Sequence, residues 1–325
     1  MPSLPATMRA AALDRFGGPE VLSIHSLPVP SIDAHEVLIA VRTAGIGVWD
    51  ADMREGWSPD GRRRLPLVLG TDGAGRIAAV GSRVQRFEPG DLVYSYSFAN
   101  PKGGFYAEYV AVDAGKVAHI PETLDVLHAG AIPTTGLTAL QGVDDTLQLT
   151  RGESLIVHGA TGGVGTLAVQ FAKQRGARVL ATGSGADGAA FVLGLDADAA
   201  VDGRRAGLTA AARRFAPDGV DAVLAFTGKA LARCLDALRR GGRLAYPNGI
   251  EPEPRKRRDI RIRSYDAVPG VNEFNRLRAA VEAAKLQVRI AGAYRLEDAA
   301  RAHRRLARGH VFGKLVLRIG NDRRR

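Results

Sequence analysis

The hydrophobic pattern divides the chain into two regions of different texture. Up to about residue 125, short apolar runs such as EVLIAVRTAGI, GRIAAVGSRV and GDLVYSYS are separated by Gly and Pro. Short strands with turn signals at this spacing are typical of an all-β, barrel-like arrangement. The pattern therefore predicts a β-rich first domain.

From about Leu127, short apolar runs alternate with helical patterns. SLIVHGA is followed by TLAVQFAKQRG, and later by VDAVLAFTG and the helical pattern ALARCLDALRRGG. This alternation indicates βαβ units and a parallel sheet covered on both faces. The last stretch mixes helices and strands and ends in GKLVLRI, which we expect to return to the first domain. The prediction is an α/β chain with a β-rich domain over 1–125, completed by 270–325, and a doubly wound parallel-sheet domain over 126–269.

Length and cysteine content agree with this division. A chain of 325 residues exceeds the size at which one core usually keeps growing. Its only cysteine, Cys234, excludes an intramolecular disulfide and any zinc site built from two or more thiolates. Cys234 falls on the apolar side of its helical pattern, so we expect inert packing. Without a signal-like start or a long apolar run, we expect a cytoplasmic protein with no membrane partner.

The net charge of +11 comes mostly from arginine and is densest in Arg255–Arg263 and near the C-terminus. Such runs are usually solvated surface, and these are not interleaved with aromatic residues that could stack on bases. We therefore do not expect a nucleic-acid partner, although the run keeps that alternative open. A positive field would attract a phosphate-rich cofactor.

The strongest local signal is a glycine-rich turn between an apolar strand and an amphipathic helix. The predicted strand Ser154–His158 leads into GATGGVG at 159–165. Glycines allow the tight turn and the close approach of backbone N–H groups to a pyrophosphate at the helix N-terminus. The turn predicts a dinucleotide site. Its expected contact residues are Ala160, Thr161, Gly162, Gly163, Val164 and Gly165.

The residues after the next strand bear on which dinucleotide binds. An NAD site usually offers an Asp or Glu there to the ribose hydroxyls, whereas this chain has Gly183-Ser184. The absence of a carboxylate removes the main electrostatic obstacle to a 2′-phosphate, so we predict NADPH. Ser184 could donate a hydrogen bond to that phosphate. Arg204 or Arg205 could supply charge, or could simply face solvent.

The residues at the ends of later strands should contact the same cofactor. Ligands collect at the carboxyl ends of parallel strands, which points to Phe226-Thr227 and Asn248-Gly249. His158 lies within the first strand of the second domain, and we expect a hydrogen-bonded core residue rather than a ligand.

Several segments together resemble the medium-chain dehydrogenase/reductase superfamily over nearly the whole chain. They are FGGPEVL, LPLVLGTDGAGRIAAVGSRVQRFEPGDLVY, GGFYAEYVAV, AGAIPTTGLTALQ, GESLIVHGATGGVGTLAVQFAK and HVFGKLVL. The resemblance implies a GroES-like catalytic domain, a Rossmann domain, an active site in the cleft between them, and often a homodimer. It also implies that Thr134 and Thr138 of AGAIPTTGLTALQ contact the cofactor.

The same resemblance argues against a catalytic metal. The zinc ligands of the superfamily's alcohol dehydrogenases correspond to Gly47, Thr71 and Thr134, and none of these is an ordinary zinc ligand. The Ser or Thr that relays the alcohol proton corresponds to Trp49. What remains looks like the zinc-free, zeta-crystallin-like quinone oxidoreductase branch, supported by GATGGVG, Ser184 and the stretch DADMREG.

This branch implies hydride transfer from NADPH to a small-molecule quinone or activated alkene or carbonyl. Negative charge then builds on an oxygen, which requires nearby donors or water. The candidate catalytic residues are Trp49, Asp50, Asp52 and Tyr94, although Asp52 could instead cap a turn and Tyr94 could be packing.

Three functions remain open at this point. The branch often carries Asn and Tyr where this chain has Gly47 and Asp52, which puts quinone in doubt. An enone (alkenal) or enoyl-thioester reductase therefore competes with a quinone reductase. An NADPH-sensing, nucleic-acid-binding crystallin-like protein is the alternative from another class.

Overall fold

The structure is a computed structural model that describes residues 4–58, 61, 64–203 and 207–320. The strands are β1 (Thr7–Leu13), β2 (Ser23–Pro28), β3 (Glu36–Ile46), β4 (Leu67–Val68), β5 (Asp72–Val80), β6 (Leu92–Tyr96), β7 (Tyr109–Asp113), β8 (Val117–His119), β9 (Ser154–His158), β10 (Arg178–Gly183), β11 (Ala199–Asp202), β12 (Val220–Ala225), β13 (Leu238–Pro247), β14 (Arg261–Tyr265), β15 (Ile290–Arg295) and β16 (Lys314–Arg318).

The helices connect these strands and cover the sheets. They are α1 (Val48–Arg54), α2 (Val126–Ala129), α3 (Pro133–Gln141), α4 (Gly163–Gln174), α5 (Gly185–Leu193), α6 (Leu208–Phe215), α7 (Leu231–Leu235), α8 (Val271–Ala284) and α9 (Ala299–Ala307). A π-helical turn, Gly142–Thr146, extends α3.

A six-stranded sheet forms the second domain, in the order β11-β10-β9-β12-β13-β14. All five strand pairs in it are parallel. The chain runs outward from β9 to β11 and then continues on the other side from β12 to β14. The strand order therefore reverses between β9 and β12, the position where doubly wound sheets bind their ligands.

The first domain is built on a seven-stranded sheet, in the order β15-β16-β3-β5-β6-β8, with β7 also paired to β3. A three-stranded sheet, β2-β1-β4, packs beside it. Since β16 pairs antiparallel with β3, the C-terminal strands complete the first domain, as expected. The predicted fold class is confirmed, and the residue numbers of the domain boundaries stay a prediction.

Helices α3 and α8 join the two domains. Every residue of α3 is buried, and its neighbours in the largest apolar cluster include Tyr94 of β6 and Leu277 of α8. A Cβ at Gly136 would lie 2.9 Å from a methyl carbon of Leu277, so a larger residue would push the helices apart. The wall between the domains is thus a packed core.

Two further expectations concern single residues. Cys234 is buried, and burial raises the pKa of its thiol to about 12, which confirms the prediction of inert packing. Among the described residues, no helix combines the length and the apolar content needed to cross a bilayer.

Candidate active site

The glycine-rich turn has the geometry of a phosphate-binding loop. β9 ends at His158, Gly159 has a positive φ of +82°, and Gly162 is the N-cap of α4. A Cβ at Gly165 would lie 2.3 Å from the carbonyl oxygen of Gly159, which leaves no room for a larger residue. The first N–H groups of a helix lack intrahelical partners and carry partial positive charge, so this turn presents donors to an anion.

A chain of hydrogen bonds fixes the start of this loop. The Nε2 atom of His158 lies 2.7 Å from the carbonyl oxygen of Lys229, and Nδ1 lies 3.1 Å from Oγ1 of Thr182. Thr182 Oγ1 also accepts the N–H of Gly159 at 3.0 Å. Because a carbonyl only accepts, Nε2 carries the hydrogen and the Thr182 hydroxyl donates to Nδ1. Burial lowers the pKa of His158, and the expectation of a hydrogen-bonded core residue is confirmed.

The environment of Ser184 differs from the expectation. Asp187 of α5 lies one turn away, and the Gly185 N–H donates to Oδ1 of Asp202 at 3.2 Å. The prediction that no carboxylate serves this end of β10 is therefore wrong. It failed because Asp202 comes from the neighbouring strand and Asp187 from the following helix.

A histidine from the other domain also reaches this point, and sequence reasoning missed it. Nδ1 of His310 lies 3.1 Å from Ser184 Oγ, and Nε2 lies 3.0 Å from Oδ2 of Asp187. The predicted charge donors Arg204 and Arg205 lie outside the described residues.

An indole ring lies beside Gly47 and Thr71, two of the positions that correspond to zinc ligands in the resemblance. Trp49 of α1 donates its Nε1–H to Thr71 Oγ1 at 2.6 Å. A Cβ at Gly47 would lie 2.3 Å from the Trp49 ring, so the ring occupies the space beside Gly47. Thr134 donates its backbone N–H to Oδ2 of Asp72 at 3.0 Å. Within the part of the chain that the structure describes, no group of three or more His, Cys, Asp or Glu could hold a metal ion.

Lys314 is a second residue that sequence reasoning missed. It opens β16, is only 6% exposed, and places its Nζ 5.1 Å from the centre of a Trp49 ring. A Cβ at Gly163 would lie 3.2 Å from Cδ of Lys314, so the side chain runs from the glycine-rich loop to the indole. The motif GKLVL carried the signal, since a lysine inside a terminal strand needs a buried partner. The positive charge of Lys314 therefore lies between the two domains.

Asp50 is buried beside these residues and caps the start of α1. It accepts the N–H of Gly47 at 2.7 Å and that of Gly70 at 3.2 Å. Burial raises the pKa of Asp50 to about 7, against the opposing effects of the Gly47 hydrogen bond and the charge of Lys314. Asp52 is exposed on the same helix, and partial desolvation followed by the charge of Glu55 raises its pKa.

Tyr94 lies away from the indole, against α8. Its ring meets Phe274 edge-on at 5.1 Å, and its buried hydroxyl has no hydrogen-bond partner among the residues that the structure describes. Burial raises the pKa of this hydroxyl. The catalytic roles expected for Trp49, Asp50, Asp52 and Tyr94 stay predictions.

A cleft of about 120 Å³ opens next to Thr71. Its walls are mainly apolar and aromatic, with Phe16, Met53, Trp57 and Leu69 among them. Ser58, Arg64 and Asn100 supply polar groups. A mainly apolar lining with a few polar groups is typical of small-molecule sites.

Comparison with known proteins agrees with this geometry. The alcohol dehydrogenase GroES-like domain matches residues 33–122, and the zinc-binding dehydrogenase family matches residues 195–317. The quinone oxidoreductase of Lama guanicoe is 33% identical over 325 residues, covering 95% of this chain and 97% of its own length. The chain belongs to the quinone oxidoreductases of the medium-chain dehydrogenase/reductase superfamily. It is thus an oxidoreductase of a family that uses a nicotinamide cofactor.

Other relatives of the chain carry names that indicate different substrates or coenzymes. The NADPH-dependent alkenal/one oxidoreductase of Arabidopsis thaliana is 30% identical, covering 97% of this chain and 80% of its own length. The solved quinone oxidoreductase of Coxiella burnetii is 30% identical with a TM-score of 0.87, covering 97% of this chain and all of that one. A solved NAD-dependent alcohol dehydrogenase is 33% identical with a TM-score of 0.89, covering 96% and 100%.

The remaining predicted cofactor residues follow strands β12 and β13 or lie in α3. Phe226-Thr227 follow β12, and the Phe226 N–H donates to the carbonyl oxygen of His158. Asn248-Gly249 follow β13, where the Asn248 amide donates to Asp266 at 2.8 Å. Thr138 uses its hydroxyl inside α3, on the carbonyl oxygen of Thr134 at 2.7 Å. Their contacts with a cofactor stay predictions.

Proposed function

We propose that this protein is an NADPH-dependent, zinc-independent reductase that transfers a hydride to a quinone. The observation that carries the proposal is a continuous path of contacts between the two halves of the site. Lys314 touches the glycine-rich loop and Trp49, Trp49 bonds to Thr71, and Thr71 lines the apolar cleft. A cofactor bound at the loop would therefore end beside an apolar pocket that has an indole where a metal would sit.

The chain's residues fit a dinucleotide, because Gly162 keeps the approach to the α4 N-terminus clear. The bound cofactor would supply a hydride from reduced nicotinamide. The loop N–H groups would hold the diphosphate, and the cleft would hold the acceptor with its ring plane exposed to that hydride. The hydride would add to the acceptor, and one proton from water would complete the hydroquinone. Lys314 and the Thr71 hydroxyl would stabilise negative charge that develops on the acceptor oxygen.

Two observations favour NADPH. Ser184 offers a hydroxyl where NAD sites usually carry a carboxylate, and the Arabidopsis relative is named as NADPH-dependent. Two observations favour NADH instead. The carboxylates of Asp187 and Asp202 lie near this end of β10, and one relative is named as NAD-dependent. Nε2 of His310 lies 3.0 Å from Oδ2 of Asp187, so that carboxylate already accepts a hydrogen bond within the protein.

An enone or alkenal reductase is the second candidate. The name of the Arabidopsis relative favours it, as do the positions of Gly47 and Asp52. Gly47 contributes no polar side chain, and Asp52 is exposed, so few groups are left to hold two quinone oxygens. The mainly apolar cleft would accept a single-carbonyl alkene equally well.

The test is a comparison of acceptors under metal-free conditions. Oxidation of NADPH and of NADH is followed by absorbance with matched concentrations of quinones, alkenals, enones and enoyl thioesters, with and without a strong chelator. We expect quinones to give the highest kcat/KM, no effect of the chelator, and no stoichiometric zinc by elemental analysis. A higher kcat/KM for alkenals would select the second candidate, and chelator-sensitive turnover would overturn the metal-free site.

A homodimer and a cytoplasmic location belong to the same proposal. Within the described part of the chain, β14 pairs with β13 alone and forms an edge of the six-stranded sheet, so its outer backbone groups could pair with a second copy. Light scattering at enzyme-assay concentrations would measure the mass of the particle.

A further inference from the structure

The loop between α9 and β16 connects the catalytic domain to the cofactor loop. Gly313 donates its N–H to the carbonyl oxygen of Thr161 at 2.8 Å, and Gly313 forms a bridge with Gly162. Residues 308–313 therefore lie against the turn that would bind the diphosphate. From this loop, the side chain of His310 reaches Ser184, the residue that follows β10.

His310 is held firmly in this loop. Arg305 of α9 donates to the carbonyl oxygens of Gly309 at 2.9 Å and of His310 at 3.0 Å. The His310 ring packs on Phe312, with ring centres 4.6 Å apart, and Phe312 stacks on Phe191 of α5 at 5.2 Å. The imidazole is thus positioned by contacts on both sides of the interface between the domains.

Both ring nitrogens of His310 face groups of the adenosine site. Nε2 lies 3.0 Å from Oδ2 of Asp187, and Nδ1 lies 3.1 Å from Oγ of Ser184. A carboxylate only accepts, so Nε2 carries a hydrogen and Nδ1 is the atom directed at Ser184. The hydrogen bond from His310 also lowers the pKa of Asp187, which keeps that carboxylate ionised.

We propose that His310 is the residue that lets this enzyme accept NADPH in place of NADH. In the imidazolium form its Nε2–H compensates Asp187 and its Nδ1–H donates to the 2′-phosphate beside Ser184. The inference rests on the proposed use of NADPH. It assigns coenzyme selection to a side chain of the catalytic domain, across the interface from the sheet that binds the coenzyme.

The electrostatics explain why such a residue is needed. Asp187 and Ser184 share the His310 ring, and the carboxylate of Asp187 would repel a doubly charged phosphate bound beside Ser184. Arg305 of α9 precedes this loop, and its guanidinium is engaged with the backbone carbonyls of Gly309 and His310. NADH carries a hydroxyl in place of the phosphate and would gain nothing from the imidazolium. Removal of His310 should therefore weaken NADPH binding selectively.

The experiment compares His310→Ala with the wild-type enzyme by fluorescence titration with NADPH and with NADH. We expect Kd for NADPH to rise about tenfold or more and Kd for NADH to stay within about twofold. The double variant His310→Ala/Asp187→Asn should recover most of the NADPH affinity, since the uncompensated carboxylate is then gone. His128→Ala is the matched control: His128 pairs with Asp125 at 2.7 Å and is similarly exposed, but it lies on α2.

The outcomes separate this inference from the proposed function. A wild-type enzyme that binds NADH as tightly as NADPH overturns the proposed coenzyme and this role together. If the wild type prefers NADPH but His310→Ala weakens both coenzymes equally, His310 only holds the loop and the inference is wrong. The inference is also wrong if adding Asp187→Asn to His310→Ala fails to restore NADPH binding. Thermal unfolding of each variant checks that the fold is retained.

Discussion

Two glycines of the GATGGVG turn serve different purposes. A Cβ at Gly162 would have only the carbonyl oxygen of Gly159 nearby, at 3.7 Å, which is ordinary contact. A Cβ at Gly165 would lie 2.3 Å from the same oxygen. The protein itself therefore requires glycine at 165, for packing of α4 against β9, but tolerates a side chain at 162. Glycine at 162 is what we expect if a ligand approaches the backbone there.

This difference leads to a sharp test of the cofactor site. Gly162→Asp should raise Kd for NADPH by roughly a hundredfold or more, because a carboxylate close to a diphosphate is strongly repelled in a partly buried site. The melting temperature should change little, since the Cβ has room. Gly162→Asn has nearly the same size without the charge, and it should lose much less affinity. Unchanged affinity in the Asp variant would mean that the diphosphate binds elsewhere.

At the scale of single residues, the sequence predicted features that neighbouring residues determine and missed contacts between residues far apart in the chain. The glycine-rich turn, the core position of His158 and the inert Cys234 follow from neighbouring residues in the chain. His310 reaches Ser184 across 126 positions, and no local pattern carries that contact. Lys314 was overlooked for the same reason, because its meaning depends on Trp49, far away in the sequence.

The secondary structure elements show the same limit. β3 and β9 have the predicted bounds because alternating or continuous apolar runs identify strands directly. The helix predicted over ALARCLDALRRGG is only five residues long, Leu231–Leu235. The rest of that pattern enters β13, where pairing with β12 outweighs the helical preference of the sequence. Strand order could be read only from the structure, because it is a property of non-local pairing.

A buried polar network fixes α9 to α1. Nη1 of Arg54 lies 2.8 Å from Nδ1 of His303, and Nε2 of His303 lies 3.2 Å from the hydroxyl of Tyr106. Arginine only donates, so Nδ1 accepts and Nε2–H donates to Tyr106, whose hydroxyl points at Asp50. Burial, together with the charge of Arg54, lowers the pKa of His303 to about 3. His303 is therefore neutral in the folded protein.

This network should leave a signature in the pH dependence of stability. An unfolded histidine binds a proton below about pH 6.5, whereas folded His303 does not until about pH 3. Its contribution to stability is present above the higher value and is lost as the pH falls toward the lower one. Asp50, with its pKa raised to about 7, acts oppositely: its contribution is present below about pH 4 and is lost as the pH rises.

The variant His303→Gln removes the contribution of His303 to this pH dependence. Glutamine keeps an acceptor for Arg54 and a donor for Tyr106 but does not titrate, so the variant should lose less free energy of unfolding between about pH 8 and about pH 5 than the wild type. Its stability near pH 8 should fall by about 1–3 kcal/mol because the ring packing is lost. Urea unfolding at both pH values measures this, with exposed His35→Gln as the control. An unaltered pH dependence would show that His303 is not held neutral.

At the scale of the whole molecule, charge and shape act together on the cofactor. The net charge is +11, and Arg255, Lys256 and Arg258 of the basic run are exposed. Arg257 of the same run pairs with Asp259, which identifies at least part of it as ordinary solvated surface. A positive field speeds the arrival of anionic ligands, and it does so for nucleic acid as well as for a phosphorylated coenzyme.

Ionic strength separates these two possibilities. If the charge serves the coenzyme, the association rate of NADPH should fall several-fold between about 0.05 and about 0.5 M NaCl, because the Debye length shrinks below the size of the site. KM for an uncharged quinone should stay constant over the same range. Single-stranded RNA should show no saturable binding at about 0.15 M salt, since the exposed arginines are not accompanied by aromatic stacking partners. Tight RNA binding with a steep salt dependence, together with no turnover of any acceptor, would instead favour the coenzyme-regulated nucleic-acid-binding protein.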